Sequence, residues 1–144
     1  MASGRVDTNV FVHALKDDPQ SAECRAFVLL LKEGTIRARL EPYVVHELAY
    51  ILPRRLPDWN REQIAAFLLN LLDWPGIESD RQVLESALVQ WGQSPKLSFV
   101  DAILVAESSR DGSPIYTKNV KDFENRGVEV PDPLPGTEST DPVR

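Results

Sequence analysis

Short apolar stretches alternate with longer helical ones along this chain, and that alternation limits the possible folds more than any other feature. Five segments carry apolar residues at helical spacing, and these are 19–33, 42–52, 60–72, 81–91 and 98–110. A helical turn is predicted near 120–123, and strands are predicted at 35–40, 113–116 and 128–130. The stretch 6–12 opens as a further short strand that runs into a turn or a helix start. Short strands separated by helices predict an α/β fold, with helices on both faces of a mainly parallel sheet of four or five short strands.

The length of 144 residues suits one domain. All of the predicted elements fall within 1–131, which we expect to be that domain. The remaining 132–144 is acidic and rich in proline, and we expect it to be a disordered tail. Four of the chain's 11 prolines lie in 131–144, which supports that division.

Composition excludes several classes of protein. Cys24 is the only cysteine, so neither a disulfide scaffold nor a cysteine-rich zinc module is possible. No apolar run approaches the roughly 18 residues of a membrane span, and the start lacks the apolar stretch of a secretory signal. We therefore expect a cytoplasmic protein without membrane contact. The net charge of −6 argues against simple nucleic-acid binding, but it leaves room for an enzyme that cleaves phosphodiesters at a local acidic metal site.

Four acids stand near strand ends or helix starts, namely Asp7, Glu47, Asp101 and Asp122. In sheets of this kind, sites form at the carboxyl ends of the strands. Asp101 interrupts the apolar run 99–106, whose composition predicts a helix buried nearly all round. A carboxylate there needs a partner or a metal ion, because its desolvation otherwise costs several kcal/mol. Carboxylate oxygens suit Mg²⁺ or Mn²⁺.

Each acid also has a structural interpretation. Asp7 would be a turn residue or a cap for the next helix. Asp101 would form a capping box with a preceding serine, and Asp122 would occupy the third position of a helix capped by Asn119. Glu47 would be an exposed acid that complements the dipole of a helix start. These alternatives remain open from the sequence.

Four segments together resemble the PIN-domain nucleases, and most closely the VapC-type toxin ribonucleases of bacterial toxin–antitoxin pairs. The segments are Val-Asp-Thr-Asn-Val at 6–10, Val-Val-His-Glu-Leu at 44–48, Phe-Val-Asp-Ala-Ile-Leu-Val-Ala at 99–106 and Ile-Tyr-Thr-Lys-Asn-Val-Lys-Asp-Phe at 115–123. Their order and spacing extend the resemblance over 5–130. It implies a three-layer α/β/α domain with an acidic pocket that binds Mg²⁺ or Mn²⁺.

The resemblance also implies roles for individual residues. Asp7 and Asp101 would be the main metal ligands, and Glu47 would complete the pocket directly or through water. Asp122 would be the last acid, while Thr117 and Asn119 would orient ligands or water. Some relatives carry an acid at the position of Asn119, so Asn119 and Asp122 are alternatives for the fourth position of the site.

The function implied by the resemblance is metal-assisted hydrolysis of RNA by a homodimeric toxin with a small antitoxin as partner. Two alternatives remain, a housekeeping PIN nuclease that processes RNA and a non-catalytic RNA-binding or scaffold module. Four basic residues are candidate phosphate contacts or solvated surface charges, and these are Lys118, Lys121, Arg54 and Arg55.

The histidines and large aromatic residues receive structural interpretations. His13 and His46 are expected on helix surfaces, since one cysteine and two distant histidines make a poor zinc site. For the aromatic residues we predict core packing, with a partner groove as the alternative, and these are Trp59, Phe67, Trp74 and Trp91.

Overall fold

A computed structural model describes residues 3–136 of the chain. Its strands are β1 (Gly4–Arg5), β2 (Ala38–Arg39) and β3 (Ile77–Glu78). Its helices are α1 (Thr8–Leu15), α2 (Ser21–Glu33), α3 (Pro42–Arg55), α4 (Arg61–Leu72), α5 (Arg81–Gln93), α6 (Phe99–Asp111) and α7 (Val120–Phe123). All five predicted helices and the predicted turn near 120–123 are present, with ends shifted by no more than three residues.

The three strands form one parallel sheet in the order β1-β2-β3, with Ala38 opposite both Gly4 and Ile77. The predicted parallel sheet is thus confirmed, whereas four or five strands are not confirmed. The predicted strands at 113–116 and 128–130 are irregular segments joined by a hydrogen bond from the Ile115 N–H to the Glu129 carbonyl (2.9 Å). Their apolar side chains enter a small second core with Val105 and Phe123, so burial there requires no sheet ladder.

Strand β3 follows Gly76 and was not foreseen, because two residues are too few to show a period. The Gly76 N–H donates to the Leu31 carbonyl (2.9 Å), and its own carbonyl accepts from the Ala38 N–H (2.8 Å). A Cβ at Gly76 would lie 2.3 Å from the Ile36 oxygen and 2.4 Å from the Leu31 oxygen. Only glycine allows this close backbone approach, which positions β3 beside β2.

Replacing Gly76 by alanine is expected to lower the free energy of unfolding by about 3 kcal/mol, because backbone oxygens must move to admit the methyl group. Chemical denaturation of parent and variant measures the change. Gly4→Ala is the matched control, since an added Cβ at Gly4 meets no atom within 4 Å. Equal denaturation midpoints for the two variants would contradict this account of Gly76.

Helix α3 continues through Pro53 to Arg55, so the predicted helix end at residue 52, before Pro53, is wrong. The proline removes only its own N–H from the helical ladder. The Leu56 N–H still donates to the Leu52 carbonyl (2.8 Å), and the Arg54 guanidinium donates to the Tyr50 carbonyl (2.9 Å). The added turn places Arg54 on the same helix as Glu47.

Helix α3 lies at the centre of the fold and packs against α1, α4 and α6, while α5 packs between α4 and α6. Five of its side chains are buried in the main core, and these are Val44, Val45, Leu48, Ala49 and Leu52. The prediction that α6 is buried nearly all round is wrong, because Val100 and Leu104 are exposed. Helices α5 and α3 cover only part of its circumference.

The predicted division into 1–131 and a tail at 132–144 stays a prediction. Residues 137–144 of that tail lie outside the described residues. Over 3–136, no helix is both long and apolar enough to cross a membrane.

Candidate active site

Asp7 and Glu47 lie on neighbouring elements that share a hydrogen bond. Asp7 occupies the N-cap position of α1, but its exposed side chain accepts no capping hydrogen bond. Glu47 lies beyond the first turn of α3, so it does not complement the start of that helix. The buried Thr8 hydroxyl donates to Glu47 Oε1 (3.3 Å). The residue after Asp7 therefore contacts the Glu47 carboxylate. Asp7 keeps the N-cap position without a capping bond from its side chain, and Glu47 is not a first-turn acid.

Asp101 lies in the first turn of α6, where Ser98 caps the helix. The Asp101 N–H donates to the Ser98 hydroxyl (3.1 Å), but the Asp101 carboxylate makes no return bond, so only half of a capping box forms. On the neighbouring α3, the His46 ring stacks on the Phe99 ring, with 6.4 Å between centroids and 16° between planes. This contact joins the turn that carries Glu47 to the turn that carries Asp101.

Asp101 differs from the other half-buried acids in having no partner. Five acidic side chains in the described part of the chain are half-buried, and these are Asp18, Glu41, Glu78, Asp80 and Asp101. Asp18 pairs with His13, and Asp80 pairs with Arg110. Glu41 pairs with Arg5 and Arg39. Glu78 pairs with Arg37 and accepts a hydrogen bond from Ser3. Asp101 has neither a hydrogen bond to its carboxylate nor an ion pair within 3–136. A half-buried charge without compensation is unfavourable, so this carboxylate is suited to a ligand.

Partners lower the pKa values of two of the paired acids, Asp18 and Glu78. The hydrogen bond with His13 lowers the pKa of Asp18, with further help from the Gln20 N–H and the Ser21 hydroxyl. The hydrogen bond from the Ser3 hydroxyl, followed by the charge of Arg37, lowers the pKa of Glu78. These groups hold the two acids ionised as structural elements, which makes them poor candidates for the site.

Asp122 lines a cleft beside two lysines. This cleft, of about 490 Å³, is lined by Lys118, Asn119, Lys121 and Asp122, together with Val120, Glu124 and Asp132. None of Asp7, Glu47 and Asp101 lines it. Asn119 does not cap α7 through its side chain, and its N–H donates to the Thr117 hydroxyl (2.9 Å). The structure therefore groups Asp122 with lysines, and its predicted role beside Asp7 stays a prediction.

The oxygen atoms of the candidate acids suit a divalent cation, but their side chains are not arranged as a metal site. The described residues contain no group of three or more histidine, cysteine, aspartate or glutamate side chains placed to hold a metal ion. Asp7, Glu47 and Asp101 nevertheless offer the oxygen atoms that Mg²⁺ and Mn²⁺ prefer, and no basic side chain neutralises them. Binding would require these carboxylates to turn toward one another.

A cavity is lined by residues of four helices, and none of Asp7, Glu47 and Asp101 is among them. It measures about 350 Å³ and lies where α3, α4, α5 and α6 meet, with His46, Tyr50, Arg54, Trp59, Trp91 and Phe99 among its lining residues. Core packing is confirmed for Trp91, whereas Trp59 is 39% exposed. His46 is half-buried rather than on the helix surface. The sequence does carry one signal for this cavity, since His46 and Tyr50 are spaced one helical turn apart on α3.

This α/β fold with a parallel sheet carries acidic side chains after β1, on α3 and at the start of α6. The PIN domain family model matches residues 5–127, so the chain belongs to the PIN domain family. No curated protein and no solved structure matches the chain. PIN domains are generally nuclease domains that act on RNA, and they typically depend on divalent metal ions.

Proposed function

We propose that this protein is a Mg²⁺- or Mn²⁺-dependent endoribonuclease, and that it is the VapC-type toxin of a type II toxin–antitoxin pair. The observation that carries the catalytic part is the Asp101 carboxylate, which is half-buried and has no partner within 3–136. Its neighbours strengthen the case, since the Thr8 hydroxyl holds Glu47 on the adjoining α3.

The proposed ligands are Asp7, Glu47 and Asp101, with Asp122 as the fourth acid. A bound divalent cation would activate water and stabilise the negative charge that develops on the phosphate. Thr8 restrains the Glu47 carboxylate through its hydrogen bond, which limits the freedom that ligand binding would remove.

The second cleft is suited to contact the RNA backbone. Lys118 and Lys121 line it with Asp122, and both lysines are exposed. Lysine side chains bind phosphate oxygens without regard to sequence. Thr117 and Asn119 keep the orienting role that the family resemblance implies.

The toxin assignment rests on the resemblance of the four segments to VapC-type ribonucleases. With the toxin assignment we also propose that the protein is a homodimer, binds a small antitoxin protein and is located in the cytoplasm. A housekeeping PIN nuclease and a non-catalytic scaffold make different predictions, so experiments distinguish the three.

Purified protein is expected to cleave labelled single-stranded RNA with Mn²⁺ or Mg²⁺, to stop in EDTA and to resume when the metal is restored. The reason is that the proposed site contains only carboxylates, which need a cation beside an anionic phosphate. Gel analysis of the products measures the cleavage. Cleavage that resists EDTA, or no cleavage with any divalent metal, would contradict the proposal.

The growth of bacteria that express the chain tests the toxin role. Expression of the chain in bacteria is expected to stop growth, and co-expression of a small protein encoded beside it should relieve the arrest. Metal-dependent cleavage without growth arrest would instead favour a housekeeping nuclease.

A further inference from the structure

We propose that the cavity between α3, α4, α5 and α6 binds a nucleobase of the RNA substrate, next to the bond that is cleaved. This inference rests on the proposed nuclease function and adds a substrate contact to it. At about 350 Å³ the cavity falls within the range of small-ligand sites, so it can admit a base.

Four large aromatic side chains line the cavity. Tyr50 is 60% exposed and Trp59 is 39% exposed, so both rings are accessible to a ligand. Trp91 and Phe99 meet edge to face, with 6.1 Å between centroids and 86° between planes, which makes a rigid floor. Proteins recognise single-stranded RNA by stacking its bases on such rings.

Two arginines bring positive charge to this part of an otherwise acidic protein. The Arg54 guanidinium lies 3.9 Å from the centroid of the Tyr50 ring and is exposed, so it has donors left for a phosphate. Arg61 donates to the carbonyls of Trp91 (3.2 Å), Ser94 (2.9 Å) and Leu97 (2.6 Å). Burial lowers the pKa of Arg61, whose bonds fix one wall. Aromatic faces beside a free guanidinium suit a base with its attached phosphate.

His46, which lines the same cavity, has a buried polar atom without a hydrogen-bond partner. Its Nδ1 is the only buried side-chain nitrogen or oxygen in 3–136 that lacks a hydrogen-bond partner. A buried polar atom without a partner is unfavourable by about 1–3 kcal/mol. Nucleobases carry donors and acceptors along their edges, so a base could satisfy this buried atom if the His46 ring turned toward the cavity, whereas a purely apolar side chain could not.

The position of the cavity relates it to the proposed metal ligands. His46 immediately precedes Glu47, and Phe99 stands two residues before Asp101. A base held by this cavity would therefore belong to a nucleotide close to the reacting phosphate.

The test measures binding of a fluorescein-labelled single-stranded RNA hexanucleotide to the full chain by anisotropy, in EDTA so that no cleavage occurs. Tyr50→Ala and Trp59→Ala are each expected to weaken binding about tenfold, as loss of one stacking partner does. Tyr50→Phe keeps the ring and should bind like the parent. Tyr43→Ala is the matched control, because Tyr43 is also on α3 and 60% exposed but does not line the cavity.

The outcomes separate this proposal from the nuclease assignment. If Tyr50→Ala binds RNA as the parent does, the base site is wrong even when Asp101→Asn abolishes cleavage. If Tyr50→Ala weakens binding in a protein that cleaves nothing, the base site stands and the nuclease fails. If Tyr50→Ala and Trp59→Ala change the sedimentation coefficient while RNA affinity is unchanged, the cavity is an interface between copies and the proposal is overturned.

Discussion

Asp101→Asn is expected to reduce RNA cleavage at least about a thousandfold and to leave the fold intact. A divalent cation supplies several kcal/mol of charge stabilisation in the transition state, and each 1.36 kcal/mol corresponds to a tenfold change in rate. The variant removes the one half-buried carboxylate without a partner in the described part of the chain. Initial cleavage rates with saturating Mn²⁺ measure the loss.

The structure explains why this substitution should not unfold the protein. The cap of α6 uses the backbone N–H of Asp101, which donates to Ser98, and asparagine retains that group. Glu107→Gln is the matched control, because Glu107 is an exposed acid on the same helix. Parent-like cleavage by Asp101→Asn, with contaminating nuclease excluded by repeated purification, would show that the site is misassigned.

Saturating Mn²⁺ is expected to raise the melting temperature of the parent by roughly 8 °C. A ligand at 100 times its Kd adds about 2.7 kcal/mol to the free energy of unfolding, and a chain of this size gains about 3 °C per kcal/mol. Asp7→Asn and Asp101→Asn should shrink that shift. In EDTA, Asp101→Asn is expected to be at least as stable as the parent, since it removes an uncompensated charge.

Glu41→Gln serves as the control for this second prediction. Glu41 is half-buried like Asp101, but its carboxylate pairs with Arg5 (3.5 Å) and Arg39 (2.5 Å). Its substitution should lower the melting temperature in EDTA and preserve the shift caused by Mn²⁺. Melting curves of the folded parent that coincide with and without saturating metal would refute a metal site formed by these acids.

Elements with many residues could be predicted from the sequence, because each carries several copies of its own periodic signal. The long helices α2, α4 and α6 are present where the apolar spacing predicted them. The two-residue strand β3 shows no period, and it forms because Gly76 allows a close backbone approach that the sequence does not reveal. At 113–116 and 128–130 the sequence predicted strands that the structure does not contain, because the apolar residues there pack into a small core and not into a sheet.

The candidate site divides in the same way. The sequence by itself determined which acids stand at element boundaries and, through four ordered segments, the family to which the chain belongs. Only the tertiary structure decided that Asp101 lacks a partner while Glu41 has two arginines, and that Asp122 shares a cleft with lysines. Helical periodicity is a local property of the chain, whereas pairing of a charge depends on residues that packing brings together from distant positions.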